Sequence, residues 1–334
     1  HPEYHMEQRL LLDKIDFEEK TVTIDGKRYP LDDCNFPTID KNDPYKLSEG
    51  EEVVMQKLRA SFLGSEKLQR HISFLFARGS MYLPCNGNLL YHGCVPLEEN
   101  GAFKEVQVGD ATYHGRALFE KLEEWVRKGY YLPEGEERRF GQDTMWFLWA
   151  NENSPLYGKE RMTTFERYFV KDPSCYYEAK SAYYKYLDND KVITAILNEF
   201  GLDGKSPSAH IINGHMPVHL KSGETPIKCG GRVLMIDGGM SRPYQRETGI
   251  AGYTLVSNSY GMRLVAYEPF SSTEDAIRNE TDIHSATEVV QKTSDRLSIR
   301  DTDEGRHMQA RIEELTELLD AYRLGIIREH ISTL

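Results

Sequence analysis

Two short apolar runs that stop at a histidine set the strongest limit on how this chain can fold. They are Leu89-Leu90-Tyr91-His92-Gly93 and His210-Ile211-Ile212-Asn213-Gly214-His215-Met216-Pro217. Each reads as a buried strand whose carboxyl end delivers an imidazole and then turns at once on glycine or proline. In α/β folds that edge of the sheet is where ligands and metals bind. A lone strand-end histidine is more often a satisfied core or turn residue. Two of them strengthen a metal-site reading, although no His-x-His or Glu-x-x-His spacing accompanies them.

Helical and strand-like periods alternate along the chain, which predicts an α/β architecture. Thr21 to Lys27 reads as a strand running into an Asp-Gly turn. Val54, Leu58 and Phe62, then Leu68, Ile72 and Leu75, lie at helical spacing on either side of Gly64 and predict a helical pair packed on a core. An Asn-Gly turn precedes the His92 strand. Leu118, Leu122 and Trp125 predict a helix over 115–128. Residues 130–175 read as loop-rich and aromatic, 176–200 as a tyrosine-rich helical stretch, and 210–270 as mostly strands, with a hairpin through Tyr253-Thr254-Leu255-Val256 and Arg263 to Tyr267. Beyond Pro269 the chain reads as a charged helical tail. Its Met308, Ile312, Leu315, Leu319 and Tyr322 follow a four-three spacing that predicts a stripe docked on its own domain, with a subunit contact as the alternative. The expected divisions are a mostly helical region over 1–80, a central domain over 81–270 and a helical tail over 271–334.

Composition narrows the function classes. A formal charge of −12 argues against extended contact with nucleic-acid phosphates or anionic lipid, while leaving room for a small phosphorylated substrate held by a local cation cluster. No apolar run is long enough to span a bilayer, and no basic-then-apolar leader is present, so a cytoplasmic location is expected. Cys34, Cys85, Cys94, Cys175 and Cys229 form no Cys-x-x-Cys pair and read as reduced thiols. Cys94 reads as a small buried hydrophobe despite lying two residues from His92.

Longer motifs point to a family. Asn213 to Gly239 reads NGHMPVHLKSGETPIKCGGRVLMIDGG, a Gly-His-x-Pro turn, a hairpin and a strand ending at Asp237-Gly238-Gly239. It resembles the last metal-binding motif of the calcineurin-like metallophosphoesterases. With HGCVPLEENG at 92–101, SPLYGKERMTTFERYF at 154–169 and TGIAGYTLVSNSYG at 248–261, nearly the whole chain is similar to the class III fructose-1,6-bisphosphatases of bacteria.

The resemblance implies a calcineurin-like β-sandwich flanked by helices. It gives His92 as the family's isolated histidine ligand and His215 as the histidine of its Gly-His motif, both on the second of two manganese ions. The family's remaining ligands come from Asp-x-His, Gly-Asp-x-x-Asp-Arg and Gly-Asn-His-Asp/Glu motifs that precede the isolated histidine. None of these occurs between His1 and Tyr91. The chain is therefore expected to be the carboxyl-terminal half of a larger enzyme, a fragment or one product of a split reading frame, lacking the amino-terminal half and keeping at most one partial manganese site. Arg161 and then Lys159 are the expected phosphate-binding cations, with Arg167 in the same segment, because arginine clamps two phosphoryl oxygens at once. Asp237 reads foremost as a turn residue and otherwise as a pocket-lining group. Arg242 and Tyr244 are placed to reach the sugar or its second phosphate, and His219 is a weaker candidate.

In the complete enzyme the resemblance implies metal-assisted hydrolysis of the 1-phosphate of fructose 1,6-bisphosphate, a step of gluconeogenesis, with no protein nucleophile. No catalytic acid is assigned in this chain. The alternative is a non-catalytic half-domain or relic that binds sugar phosphate or a partner. A phosphoprotein phosphatase relative is a third reading, since both groups share the isolated histidine. An incomplete sandwich would expose a sheet edge and an apolar face, which predicts self-association or pairing with the missing half.

Overall fold

The computed structural model describes residues 1–237, 247–249, 252–267, 272–279, 285–292 and 295–328. The chain forms two compact units. His1–Leu83 with Tyr91–Phe200 makes the first, and Pro84–Leu90 with Gly201–Leu334 makes the second.

In the first unit, β1 (Ile15–Asp16), β2 (Thr21–Ile24) and β3 (Lys27–Pro30) form an antiparallel sheet. Val22, Ile24, Tyr29 and Leu31 from it pack with Leu11, Val170 and Cys175. Helices α1 (Glu49–Leu63) and α2 (Glu66–Arg78) follow. Ser48 and Glu51 close a capping box at the start of α1, and Ser65 caps α2, so the helical pair forms where the sequence predicts it. A second core joins the hairpin β6 (Val106–Val108) and β7 (Ala111–Tyr113) to α3 (Gly115–Tyr131) and α4 (Glu136–Ala150). Leu118, Leu122, Phe147 and Leu148 fill it together with Tyr4, Val106 and Val108. Two short helices, α5 (Phe165–Phe169) and α6 (Asp190–Glu199), complete the unit.

A five-stranded sheet has the order β4-β5-β8-β10-β9, from β4 (Tyr82–Cys85), β5 (Asn88–Tyr91), β8 (His210–Asn213), β9 (Ile227–Lys228) and β10 (Val233–Met235). Asn86 and Gly87, at φ 50° and 80°, supply the tight turn between β4 and β5. Strands β5, β8 and β10 run parallel, with Leu90 opposite Ile212 and Ile212 opposite Leu234, so their carboxyl ends share one edge. All four residues of β8 and all three of β10 are buried, as in a parallel sheet covered on both faces. A second sheet, β11 (Gly252–Asn258), β12 (Gly261–Tyr267) and β13 (Ser285–Lys292), is antiparallel. Ile212 and Leu234 of the first sheet share an apolar cluster with Leu255, Met262 and Val290 of the second. Helices α7 (Thr273–Asn279) and α8 (Asp303–Arg323) complete the described elements.

Five sequence expectations change. Residues 136–150 form α4 rather than a loop. The 176–200 stretch is helical in full only over α6, with 3-10 turns before it. The tail after residue 270 is not wholly helical, because β13 extends the β11-β12 hairpin by an edge strand. The stripe of α8 is not docked. Ile312 is 56% exposed and Leu319 47%. Nor does the helical pair pack on a core, since Leu58 and Phe62 of α1 are 50% and 65% exposed and neither helix has a buried residue. No helix of the described residues is long and apolar enough to cross a membrane.

Candidate metal and phosphate-binding residues

His215 stands at the carboxyl edge of the parallel sheet in a conformation that side chains seldom adopt. Its φ is 66°, and the Met216 N–H donates to the Gly214 carbonyl at 2.8 Å. A bond across two residues around a positive φ is the signature of the strained γ-turn, and a non-glycine residue held this way costs on the order of 1 kcal/mol. Neighbours impose the turn. Met216 and Val218 are buried on either side of Pro217. The Val218 N–H donates to the Asp237 carbonyl at 2.9 Å, and the Ile236 N–H donates to the Asn213 carbonyl at 2.8 Å. The loops leaving β8 and β10 are thus stitched together, and the half-buried His215 and Asp237 leave from the same sheet edge. His219 behaves as a turn residue: its N–H donates to the Glu224 carboxylate at 3.0 Å. Gly238, Gly239, Arg242 and Tyr244 lie outside the described residues.

His92 directly follows β5 in the first unit and is exposed. Its neighbours are not. A Cβ on Gly93 would lie 2.5 Å from the Pro155 carbonyl oxygen, which also accepts the Cys94 N–H at 2.9 Å. Ser154 fixes that loop in turn, donating its hydroxyl to the Leu148 carbonyl at 2.6 Å and accepting the Leu156 N–H at 3.1 Å. The Ser154 to Gly158 segment therefore buttresses the backbone that carries His92. Beneath it the buried hydroxyls of Tyr91 and Tyr183 meet at 2.7 Å, and burial pushes both phenols up. Cys94 is buried, and burial raises its thiol to about 12, which keeps it protonated and inert. All five cysteines are free.

Two of the three cations of the 154–169 segment, Lys159 and Arg167, converge on one carboxylate, Glu178. Lys159 Nζ donates to it at 2.7 Å, the Thr163 N–H and hydroxyl donate at 2.8 and 2.7 Å, and Arg167 lies 3.7 Å away. Arg161 ion-pairs with Asp25 and donates to the Tyr177 and Cys175 carbonyls at 3.1 Å each. In this conformation Lys159, Arg161 and Arg167 hold the loop together. Sequence reasoning missed Glu178, which lies 19 residues from Lys159 with no motif to single it out. Burial alone would raise its carboxyl, but the hydrogen bonds from Lys159 and Thr163 outweigh this and hold it below the ordinary glutamate range. A depressed carboxylate stabilises the fold above its unfolded pKa, about 4.3, and that stability is lost as pH falls through the folded value. Glu178→Gln is expected to cost roughly 1.5–3 kcal/mol in urea unfolding at pH 7, the range for hydrogen bonds to charged groups. The deficit relative to the parent should shrink in acid. A pH-independent difference would rule the carboxylate out as the cause.

Among the described residues no three His, Cys, Asp or Glu side chains converge as a metal's ligand set. The comparison with known proteins decides the family. A family model described as Firmicute fructose-1,6-bisphosphatase matches residues 1–324. The chain belongs to this family. Relatives named fructose-1,6-bisphosphatase class 3 include that of Clostridium acetobutylicum, 52% identical over 334 residues, covering 100% of this chain and 50% of the relative. Those of Clostridium novyi and Alkaliphilus metalliredigens are each 51% identical, over 333 and 331 residues, covering 99% and 98% of this chain and 50% of each relative. The chain thus spans about half the length of the curated relatives it matches in the Firmicute fructose-1,6-bisphosphatase family. No solved structure matches the chain.

Proposed function

We propose that this chain is the carboxyl-terminal part of a metal-dependent phosphatase that removes the 1-phosphate of fructose 1,6-bisphosphate, a cytoplasmic step of gluconeogenesis. Membership of the Firmicute fructose-1,6-bisphosphatase family over residues 1–324 is the observation that carries this reading. A calcineurin-like sandwich is the proposed parent fold, supported by an apolar cluster that draws on both sheets of the second unit.

His92 and His215 are the proposed manganese ligands. The donor chemistry fits: both are imidazoles at sheet-edge turns, a ligand type that manganese, iron and zinc accept. Two nitrogens make only part of a ligand set, so the oxygen ligands of a working centre are proposed to come from the other half of the enzyme. When bound, such a metal lowers the pKa of a water and neutralises phosphoryl charge. The strained turn fixes the backbone from which the His215 imidazole leaves, and the packed Gly93 and Cys94 do the same for the chain at His92. Arg161 and Lys159 are proposed to bind phosphate by exchanging Asp25 and Glu178 for phosphoryl oxygens. Asp237 is proposed to line the same edge, and Arg242 to reach the sugar or its second phosphate.

The test is inorganic phosphate release from fructose 1,6-bisphosphate by the purified chain with manganese, alone and mixed with the amino-terminal half of a relative, against a chelated control. Turnover that needs the added half, and is lost in His92→Ala, supports the reading. Absence of turnover in every mixture overturns it.

A second reading is a non-catalytic subunit that works through a partner chain, and the exposed stripes of α1 and α8 favour it. It predicts self-association or tight binding to the amino-terminal half. A monodisperse monomer by light scattering that ignores the other half would count against it.

A further inference from the structure

We infer that the second unit carries a binding cleft for an uncharged polyhydroxyl ligand, set at the end of the parallel sheet opposite the His215 loop. The cavity encloses about 720 Å3, within the roughly 300–1,000 Å3 of small-molecule sites. Asn88, which opens β5, and Ala209, which precedes β8, both line it, so it meets the amino ends of the parallel strands. At about 3.3 Å per residue, the length of β8 puts roughly 13 Å between this cleft and the turn at His215.

Its chemistry separates it from a phosphate site. Ser206, Ser208, Ser257 and Ser259 contribute hydroxyls, and Asn258 and Gln291 contribute amides. These groups both donate and accept, which suits a ligand whose own hydroxyls do the same. Leu202, Met262, Leu297 and Ile299 provide apolar surface for its carbon faces. Three carboxylates, Asp203, Asp301 and Asp303, face one lining cation, Arg306. That guanidinium already pairs with the Asp303 carboxylate and donates to the Asp301 carbonyl at 3.0 Å. An anion entering the cleft would meet net negative charge.

The walls are held before any ligand arrives. Asn86 and Asp303 exchange two hydrogen bonds, the Asn86 N–H to the carboxylate at 2.5 Å and the Asp303 N–H to the amide oxygen at 2.9 Å. Gln291 donates to Ser208 at 3.2 Å, and the Leu297 N–H donates to the Ser259 carbonyl at 2.8 Å. Segments far apart in sequence are fixed into one surface, which lowers the ordering cost of binding.

Saturation-transfer NMR of the whole chain with sucrose, maltose and sorbitol tests the inference, with inorganic phosphate as competitor. Ser257→Trp fills the cleft from an exposed strand position, and Ser206→Trp from a separate loop should the first variant fail to fold. The expected result is transfer to at least one of the three compounds, weakened tenfold or more by a folded tryptophan variant and unchanged by phosphate. Absence of transfer to all three, transfer undiminished in a folded variant, or competition by phosphate would each overturn it.

Discussion

Alanine at Gly141 is expected to break the α3–α4 pair and destabilise the first unit by about 3 kcal/mol or more, the upper end of what over-packing costs. Helix propensity alone predicts the reverse, since alanine is favoured over mid-helix glycine by about 1 kcal/mol. Contact geometry decides the sign. A Cβ at Gly141 would lie 2.6 Å from the Gly129 Cα, with the Gly129 nitrogen and the Trp125 carbonyl oxygen also in its way. A Cβ at Gly129 would meet the Gln142 nitrogen at 2.7 Å. These are backbone atoms of the facing helix and cannot rotate aside. The helices must separate, which uncovers Leu118, Leu122, Phe147 and Leu148 together. Gly50 on α1 is the control, because a Cβ there meets nothing within 4 Å. Gly50→Ala, in the first turn of α1, should be neutral or gain at most about 0.5 kcal/mol of the propensity term that Gly141→Ala forfeits. Urea unfolding of the two variants side by side checks this, and a Gly141→Ala protein as stable as its parent would mean that the helices do not touch there.

The same residues explain what could be read in advance. His92 and His215 were legible as strand ends because Leu89-Leu90 and Ile211-Ile212 are short apolar runs closed by glycine, and the parallel register follows from helices interposed between them. Gly129 and Gly141 gave no such signal, since a glycine inside a helical pattern looks like a weak spot until the facing helix is known. Helix α4 was missed for a related reason. Its apolar residues crowd into Met145 to Ala150 instead of repeating along its length, and tertiary packing against α3 overrides the weak pattern. The expectation for α8 failed in the opposite direction. Its four-three spacing correctly marked a helix with one apolar stripe, but periodicity tells only that a stripe exists and is silent on what covers it. Lys159, Arg161 and Arg167 illustrate the limit at the site. Residue type and motif marked them as cations of interest, whereas their attachment to Glu178 and Asp25 is long-range pairing that no local pattern encodes.

Glycine at position 215 separates the two roles of that histidine more cleanly than alanine can. His215→Gly relieves a positive φ that alanine would retain, worth on the order of 1 kcal/mol, while the greater freedom of glycine in the unfolded chain returns roughly 0.5–1 kcal/mol. The two terms nearly cancel, so the backbone contribution of His215→Gly should stay within about 0.5 kcal/mol of the parent, leaving only the loss of the side chain's own contacts. His215→Ala loses the same contacts and keeps the strain, and should be the less stable of the pair. In the proposed centre, manganese affinity should follow the imidazole instead of the backbone. Loss of groups that merely orient a ligand costs about 10–100-fold in metal affinity, and removal of the ligand itself should exceed that in both variants. A metal titration of the chain mixed with the amino-terminal half of a relative, paired with urea unfolding, reads the two quantities independently. Equal metal binding in the parent and in His215→Gly would leave the strained turn as a purely structural feature and remove His215 from the proposed centre. Lost binding in both variants, with His215→Gly the more stable, would make the imidazole a ligand whose removal is separable from the backbone strain, and would put the proposed metal at the edge of the parallel sheet.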